Sequence, residues 1–99
     1  NQIPKDSRIV SNNTHMAMYT AYYDGFHSYG IIKPTGIANR DNDLYKELKR
    51  FGVSYYIDYL NVQAPKYTAQ FLTNYTTYDK TVTAKNGHQV FTIAIYAFK

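Results

Sequence analysis

The sequence predicts an α/β fold, a small sandwich with a mainly parallel sheet, two to three helices and a C-terminal antiparallel hairpin. Three observations predict it: apolar residues repeat with helical spacing in mid-chain, a β-rich segment follows that helix after one glycine, and two β-rich arms flank Asn86-Gly87. A strand directly behind a helix is typical of a β-α-β unit, which builds parallel sheets. Because 99 residues suit one core, residues 1–99 should form a single α/β domain.

The first third of the chain predicts two strands around a helix. The apolar run Arg8 to Ser11 is a short strand, and Phe26 to Ile32 is a second β-rich run. Between them, Thr14 to Tyr23 places Met18 and Tyr22 four residues apart, on one face of a helix that would end at the following Asp-Gly pair.

The clearest predicted helix runs from Asn42 to Phe51. Asp41 or Asn42 would cap its first turn, and Gly52 would end it in a left-handed conformation. Its apolar face repeats at i, i+4 and i+7: Leu44, Leu48 and Phe51. Helix capping accounts for Asp41 and Asp43 better than a calcium loop does, because the rest of such a loop is absent.

The second half predicts a strand, a helix and a hairpin. Val53 to Leu60 is rich in β-branched and aromatic residues, and a helix is expected from Lys66 to Thr73 with Phe71 and Leu72 facing inward. Asn86-Gly87 then predicts the type I′ turn of the hairpin. The predicted core comprises Ile9, Met18, Leu44, Leu48, Val53, Ile57, Ile93 and Ile95.

Composition excludes several functional classes. The net charge is +4, but the basic residues form no run longer than Lys49-Arg50, so nucleic acid is not an expected partner. The chain has no cysteine, which excludes disulfides, thiolate metal sites and cysteine nucleophiles. Its longest apolar stretch, Val90 to Phe98, is less than half of the roughly 20 residues that a membrane helix needs.

The sequence predicts no catalytic residues, metal or cofactor. The three histidines, His15, His27 and His88, have no HxxxH or HxH spacing that would place two ligands on one face. No serine stands in a GxSxG-like elbow, and no glycine-rich loop follows a strand in a nucleotide-binding pattern.

The segment "AYYDGFHSYG" supplies a candidate glycan-binding site. It combines aromatic rings, which stack on sugars, with a carboxylate and an imidazole: Tyr22, Tyr23, Asp24, His27 and Tyr29. Together with Tyr55, Tyr56 and Tyr59, the tyrosines of this segment would form one platform for sugar rings or bases. The alternative, which the sequence favours, is that the tyrosines cover the sheet with their hydroxyls outward. The two sequons, at Asn12 and Asn74, are candidate glycosylation sites that matter only outside the cytosol.

The order of these features resembles a known family. "IPKDSRIVSNN" is followed by a helix ending in "YTAYYDG", then by "DLYKELKRFGVSYYIDY" and a terminal "VFTIAIYAF". This is similar to the extracytoplasmic tail of polytopic glycosyltransferases of the dolichyl-phosphate-mannose protein mannosyltransferase type. There, a strand beginning "PxDSxV" leads to a helix ending in Tyr-Tyr, and a helix "LyxxLKxxGVxYyi" precedes a strand.

The resemblance implies a location and a context rather than catalytic residues. The chain starts at Asn1, so we expect a piece of a larger membrane protein, held at the extracytoplasmic face of the membrane by segments outside this sequence. The expected function is that of a non-catalytic accessory domain that assists acceptor or glycan binding, with the rest of the parent protein and a glycan or protein acceptor as partners. The alternatives are a free-standing secreted carbohydrate-binding module and a small α/β domain with no ligand of its own.

Overall fold

The structure, a computed structural model, describes residues 6–13 and 27–99. Its elements are the strands β1 (Arg8–Ser11), β2 (His27–Ile31), β3 (Val53–Tyr59), β4 (Thr76–Asn86) and β5 (Gln89–Phe98) and the helices α1 (Ala38–Arg50) and α2 (Thr68–Tyr75). The helix predicted from Thr14 to Tyr23, with Met18, lies outside the described residues.

The five strands form one mixed sheet in the order β2-β1-β3-β5-β4. β1 is parallel to β2 and to β3, whereas β5 is antiparallel to β3 and to β4. The prediction of a mainly parallel sheet is therefore wrong. It fails because β5 inserts between β3 and β4, so that the hairpin contributes two antiparallel pairings, and its strands of 11 and 10 residues are longer than β1 and β2.

The hairpin turn lies one residue later than predicted. Asn86 pairs with Gln89, which leaves Gly87 and His88 as the two loop residues. Gly87, at the first loop position, has φ 62°. A glycine there is the requirement of a type II′ turn, so the expected type I′ turn centred on Asn86-Gly87 is not the one formed.

Apolar side chains pack on both faces of the sheet. Both helices cover one face, where the buried residues are Val10, Ile32, Leu48, Val53, Tyr56, Phe71, Leu72 and Phe98. On the other face lie Ile9, Ile57, Tyr59, Ile93 and Ile95. The predicted core is confirmed for its members in these two clusters, and Leu44 packs half-buried against the first. The inward orientation predicted for Phe71 and Leu72 is also confirmed.

Helix α1 begins four residues earlier than predicted, at Ala38 rather than Asn42. Asp41 is therefore not its N-cap but lies buried in the first turn. Its carboxylate accepts hydrogen bonds from the Thr35 N–H at 2.8 Å, the Thr35 hydroxyl at 2.9 Å and the Gly36 N–H at 3.0 Å. Burial opposes ionisation of Asp41, but these three donors outweigh it and lower the pKa of the carboxyl.

Phe51 does not lie on the buried face of α1, although the sequence predicted it there with Leu44 and Leu48. Phe51 is 47% exposed, with the Arg50 guanidinium 5.2 Å from its ring centroid, because the helix ends before this residue can turn toward the sheet. Before the helix, Gly36 has φ 77°, and a Cβ there would lie 2.7 Å from a ring carbon of Tyr67.

No helix in the described part of the chain has the length and apolar character needed to cross a bilayer.

Candidate functional site

A cleft of about 350 Å³ lies between α2 and the strands β3, β5 and β4. The strands contribute Asp58, Tyr96 and Tyr78 to it, and α2 contributes Thr68 and Leu72. This volume is at the lower end of the range of small-molecule sites. It accommodates a ligand the size of one or two sugar rings.

The strand register places these side chains together. Tyr96 lies opposite Tyr56 on one side and opposite Tyr78 on the other, so that three tyrosines form a row across β3, β5 and β4. The Tyr78 and Tyr96 rings meet edge to face, with centroids 5.7 Å apart. Asp58 lies two residues beyond Tyr56 on the same face and opposite Ala94, whose small side chain leaves space beside the carboxylate.

Asn12 fixes the position of Asp58. It follows β1 directly, and its side-chain nitrogen donates to Asp58 Oδ1 at 2.9 Å and to the Tyr59 carbonyl at 3.1 Å, while its oxygen accepts from the Tyr59 N–H at 2.8 Å. These bonds join the carboxyl ends of β1 and β3. In open α/β sheets, ligands bind at this carboxyl end of the strands.

Asp58 keeps one oxygen for a ligand. Within the described residues, no donor bonds its Oδ2. Burial raises the pKa of this carboxyl, even though the Asn12 amide donates to it. A carboxylate that is partly desolvated and only partly bonded is a common feature of binding sites.

Two buried hydroxyls lie close to the cleft. Thr68 lines it and Tyr56 does not; the two residues are 1% and 0% exposed, and neither Thr68 Oγ1 nor Tyr56 Oη makes a hydrogen bond of standard geometry with a described residue. Burial and the nearby charge of Asp58 raise the pKa of Tyr56, and the neighbouring Thr68 hydroxyl moderates that rise. Because a buried polar group without a partner is costly, the Thr68 hydroxyl is suited to a polar group that enters the cleft.

The described lining of the cleft contains one side chain that is charged at neutral pH. Among these described residues Asp58 is the only acid, and none of them is a lysine, arginine or histidine. Burial, the Asp58 charge and Tyr78 raise the pKa of Tyr96, so its hydroxyl stays neutral at physiological pH. Elsewhere in residues 6–13 and 27–99, no three metal-ligating side chains come together.

The two described members of the predicted glycan-binding set, His27 and Tyr29, lie away from this cleft. His27 and Tyr29 are exposed on the edge strand β2, which β1 separates from β3, and His27 Nε2 lies 3.6 Å from Asp6 Oδ1. Tyr22, Tyr23 and Asp24 lie outside the described residues. The site at this rim of the sheet stays a prediction.

Tyr55, Tyr56 and Tyr59 do not share one exposed surface, so they do not form a platform together. Tyr56 and Tyr59 are almost fully buried, on opposite faces of the sheet, and Tyr55 is half-buried. They are core residues because alternate positions of β3 point to opposite faces, and both faces of this strand are covered.

The two sequons differ in their surroundings. Asn12 is 5% exposed and its amide nitrogen donates to Asp58 and Tyr59, so attachment of a glycan there would have to precede folding. Asn74 is exposed near the end of α2. Glycosylation at either position stays a prediction.

Sequence reasoning missed Asp58, Thr68, Tyr78 and Tyr96 as site residues. One signal was available for Asp58, which is the only charged residue within a run that is otherwise β-branched, aromatic or small. Aspartate is depleted in strands, so its presence there indicates a local function or a specific partner.

No family model, curated protein or solved structure matches the chain. The resemblance to the mannosyltransferases therefore stays a prediction. Function is inferred from the cleft and its chemistry.

Proposed function

We propose that this chain is a glycan-binding accessory domain without catalytic activity of its own. In this proposal it holds an acceptor or glycan for a membrane glycosyltransferase-like protein at the extracytoplasmic face. The observation that carries the binding function is the cleft under α2, where two aromatic rings, one carboxylate and the buried hydroxyl of Thr68 converge. The membrane context comes from the family resemblance alone.

The cleft offers each type of contact that a sugar uses. A pyranose has an apolar face, which packs on aromatic rings, and here Tyr78 is 55% exposed beside Tyr96. Its hydroxyls are donors and acceptors, which suit Asp58 Oδ2 as an acceptor and the hydroxyl of Thr68 as both. A site of this size with few direct hydrogen bonds should bind one or two sugar rings with millimolar affinity.

An NMR titration of the isotope-labelled domain with mannose-containing oligosaccharides tests the proposal. Binding in the cleft should shift the amide signals of Asp58, Thr68, Tyr78 and Tyr96. Tyr78→Ala should weaken binding by about fivefold, because one aromatic contact contributes about 1 kcal/mol. The ring is mostly exposed, so this variant should fold.

Tyr29→Ala is the matched control. Tyr29 is 50% exposed, close to the 55% of Tyr78, and it lies on β2, at the edge of the sheet opposite to β4. This variant should leave the affinity unchanged. Shifts confined to His27 and Tyr29 would contradict the cleft and support the rim of the sheet instead. No shifts at high millimolar sugar would overturn the glycan-binding function altogether.

A further inference from the structure

A neutral sugar bound in the cleft would leave the negative charge of Asp58 without a counterion. Asp58 lines it, and no other lining residue within 6–13 and 27–99 is basic. Asn12 bonds Oδ1, whereas Oδ2 has no donor within the described part of the chain. A partly buried carboxylate in this state has lost water contacts without gaining a cation, which leaves it poised to bind one.

Aromatic rings next to the carboxylate add to this preference. Tyr78 and Tyr96 lie on the same sheet face as Asp58, and the edge-to-face arrangement of the two rings leaves part of the more exposed Tyr78 ring open to the cleft. Ring faces carry partial negative charge and attract ammonium groups. Carboxylate and ring together therefore favour the same kind of ligand group.

We propose that the cleft selects a ligand that carries a protonated amine, of which an amino-sugar residue is the form that fits the glycan-binding function. The ammonium group donates to Asp58 Oδ2 and lies beside the Tyr78 ring, while a sugar hydroxyl reaches Thr68. The amino-sugar form rests on the proposed function. Amine selection does not, because it follows from the charge and the rings alone. Acidic sugars should be rejected, since their carboxylate would face Asp58 without a neutralising cation.

Four methyl glycosides with the same ring measure the selectivity: the glucoside, its 2-amino-2-deoxy form, the N-acetylated form of that amine, and the glucuronide. Titrated by NMR at neutral pH, the amino sugar should bind about tenfold more tightly than the glucoside, because hydrogen bonds between charged groups are stronger than neutral ones. The N-acetylated form keeps the nitrogen but not the charge, and should lose this advantage. The glucuronide should bind most weakly.

Asp58→Asn is the matched variant, because it keeps the size of the side chain and an oxygen that can accept from Asn12. In this variant the amino sugar and the glucoside should bind equally. Equal binding of the four glycosides to the wild-type domain, or a preference for the amino sugar that survives in Asp58→Asn, would overturn amine selection.

A separate pair of ligands distinguishes this inference from the proposed function. Cyclohexylammonium has a six-membered ring and the charge but no hydroxyls, and cyclohexanol is its neutral counterpart. If no sugar binds while cyclohexylammonium shifts the Asp58 and Tyr96 signals in the wild type and not in Asp58→Asn, the cleft is an amine site and glycan binding is wrong. If neither the sugars nor cyclohexylammonium bind, both are wrong.

Discussion

Replacement of Asn12 by alanine tests how the cleft is supported. Asn12 is 5% exposed, and its side chain bonds both the N–H and the carbonyl of Tyr59 at buried positions. The alanine variant removes the acceptor of the Tyr59 N–H and the donor to Asp58 Oδ1, whereas the Tyr59 carbonyl keeps the Val62 N–H as a donor at 3.1 Å. Loss of the partner of one buried polar group costs about 1–3 kcal/mol. We therefore expect a loss of about 2 kcal/mol in the free energy of unfolding.

Asn12→Asp separates lost hydrogen bonds from lost volume. It keeps the acceptor for the Tyr59 N–H but directs a carboxylate toward Asp58 and the Tyr59 carbonyl, where an amide had donated. At neutral pH this variant should be less stable than the alanine variant, and it should recover part of the difference on acidification as one of the two carboxyls is protonated.

Urea unfolding measures these differences. The chain has twelve tyrosines and no tryptophan, so intrinsic tyrosine fluorescence and far-UV circular dichroism serve as two independent probes. The midpoint should fall with the slope unchanged, because the surface exposed on unfolding stays the same. Asn74→Ala, at an exposed position, is the control and should change stability by less than about 0.5 kcal/mol. If Asn12→Ala also changes the free energy of unfolding by less than about 0.5 kcal/mol, the role assigned to Asn12 is refuted.

Five further substitutions have directions fixed by the structure. Leu48→Ala should lower the free energy of unfolding by about 2–5 kcal/mol since the side chain is buried, and Phe51→Ala, at an exposed ring, should cost less than about 1 kcal/mol in the same urea titration. Asp41→Asn should destabilise at neutral pH. The pKa of Asp41 is lowered, so its contribution is present above the unfolded value of 3.8 and is lost as pH falls through the folded value, and the two stability curves should converge in acid. Asp58→Asn should leave the protein at least as stable at neutral pH, because a raised pKa gives stability below the unfolded value of 3.8 that is lost as pH rises through the folded one. Gly36→Ala should lower the thermal midpoint, since φ is 77° and the new methyl group would lie 2.7 Å from a tyrosine ring. An effect of Asp41→Asn that does not depend on pH, a destabilising Asp58→Asn or a neutral Gly36→Ala would contradict these expectations.

Local signals predicted most elements. The bounds of β1 are correct to the residue, and Gly52, with φ 74°, ends the mid-chain helix as expected. The start of that helix was misplaced because Asp41 bonds backward to the preceding loop, which only the folded loop reveals. The neighbours of a strand are also not local information: nothing within β5 indicates that it lies between β3 and β4.

The candidate site was harder to predict than the fold. Asp58, Tyr78 and Tyr96 lie far apart in the sequence and meet only through the antiparallel register of β5 with its two neighbours. Whether a hydroxyl such as that of Thr68 lacks a partner depends on packing around it and has no signature in the sequence. The glycan-binding site was predicted at His27 and Tyr29 because its residues are close in the sequence. Closeness in the sequence is a weak guide to which side chains meet in a sheet.

The position of β1 between β2 and β3 has a consequence for the order of folding. Asn86 and Gln89 are three residues apart, so the hairpin closes a very short loop, whereas Arg8 must find Val53 across more than forty residues. Closing the longer loop costs more chain entropy and is slower. During synthesis, β1 is made first and its β3 partner becomes available only much later. β2, whose only partner among the described strands is β1, cannot join the sheet before β1 does. Of the described strands, those made last are therefore assembled first, and β1 and then β2 are added to them.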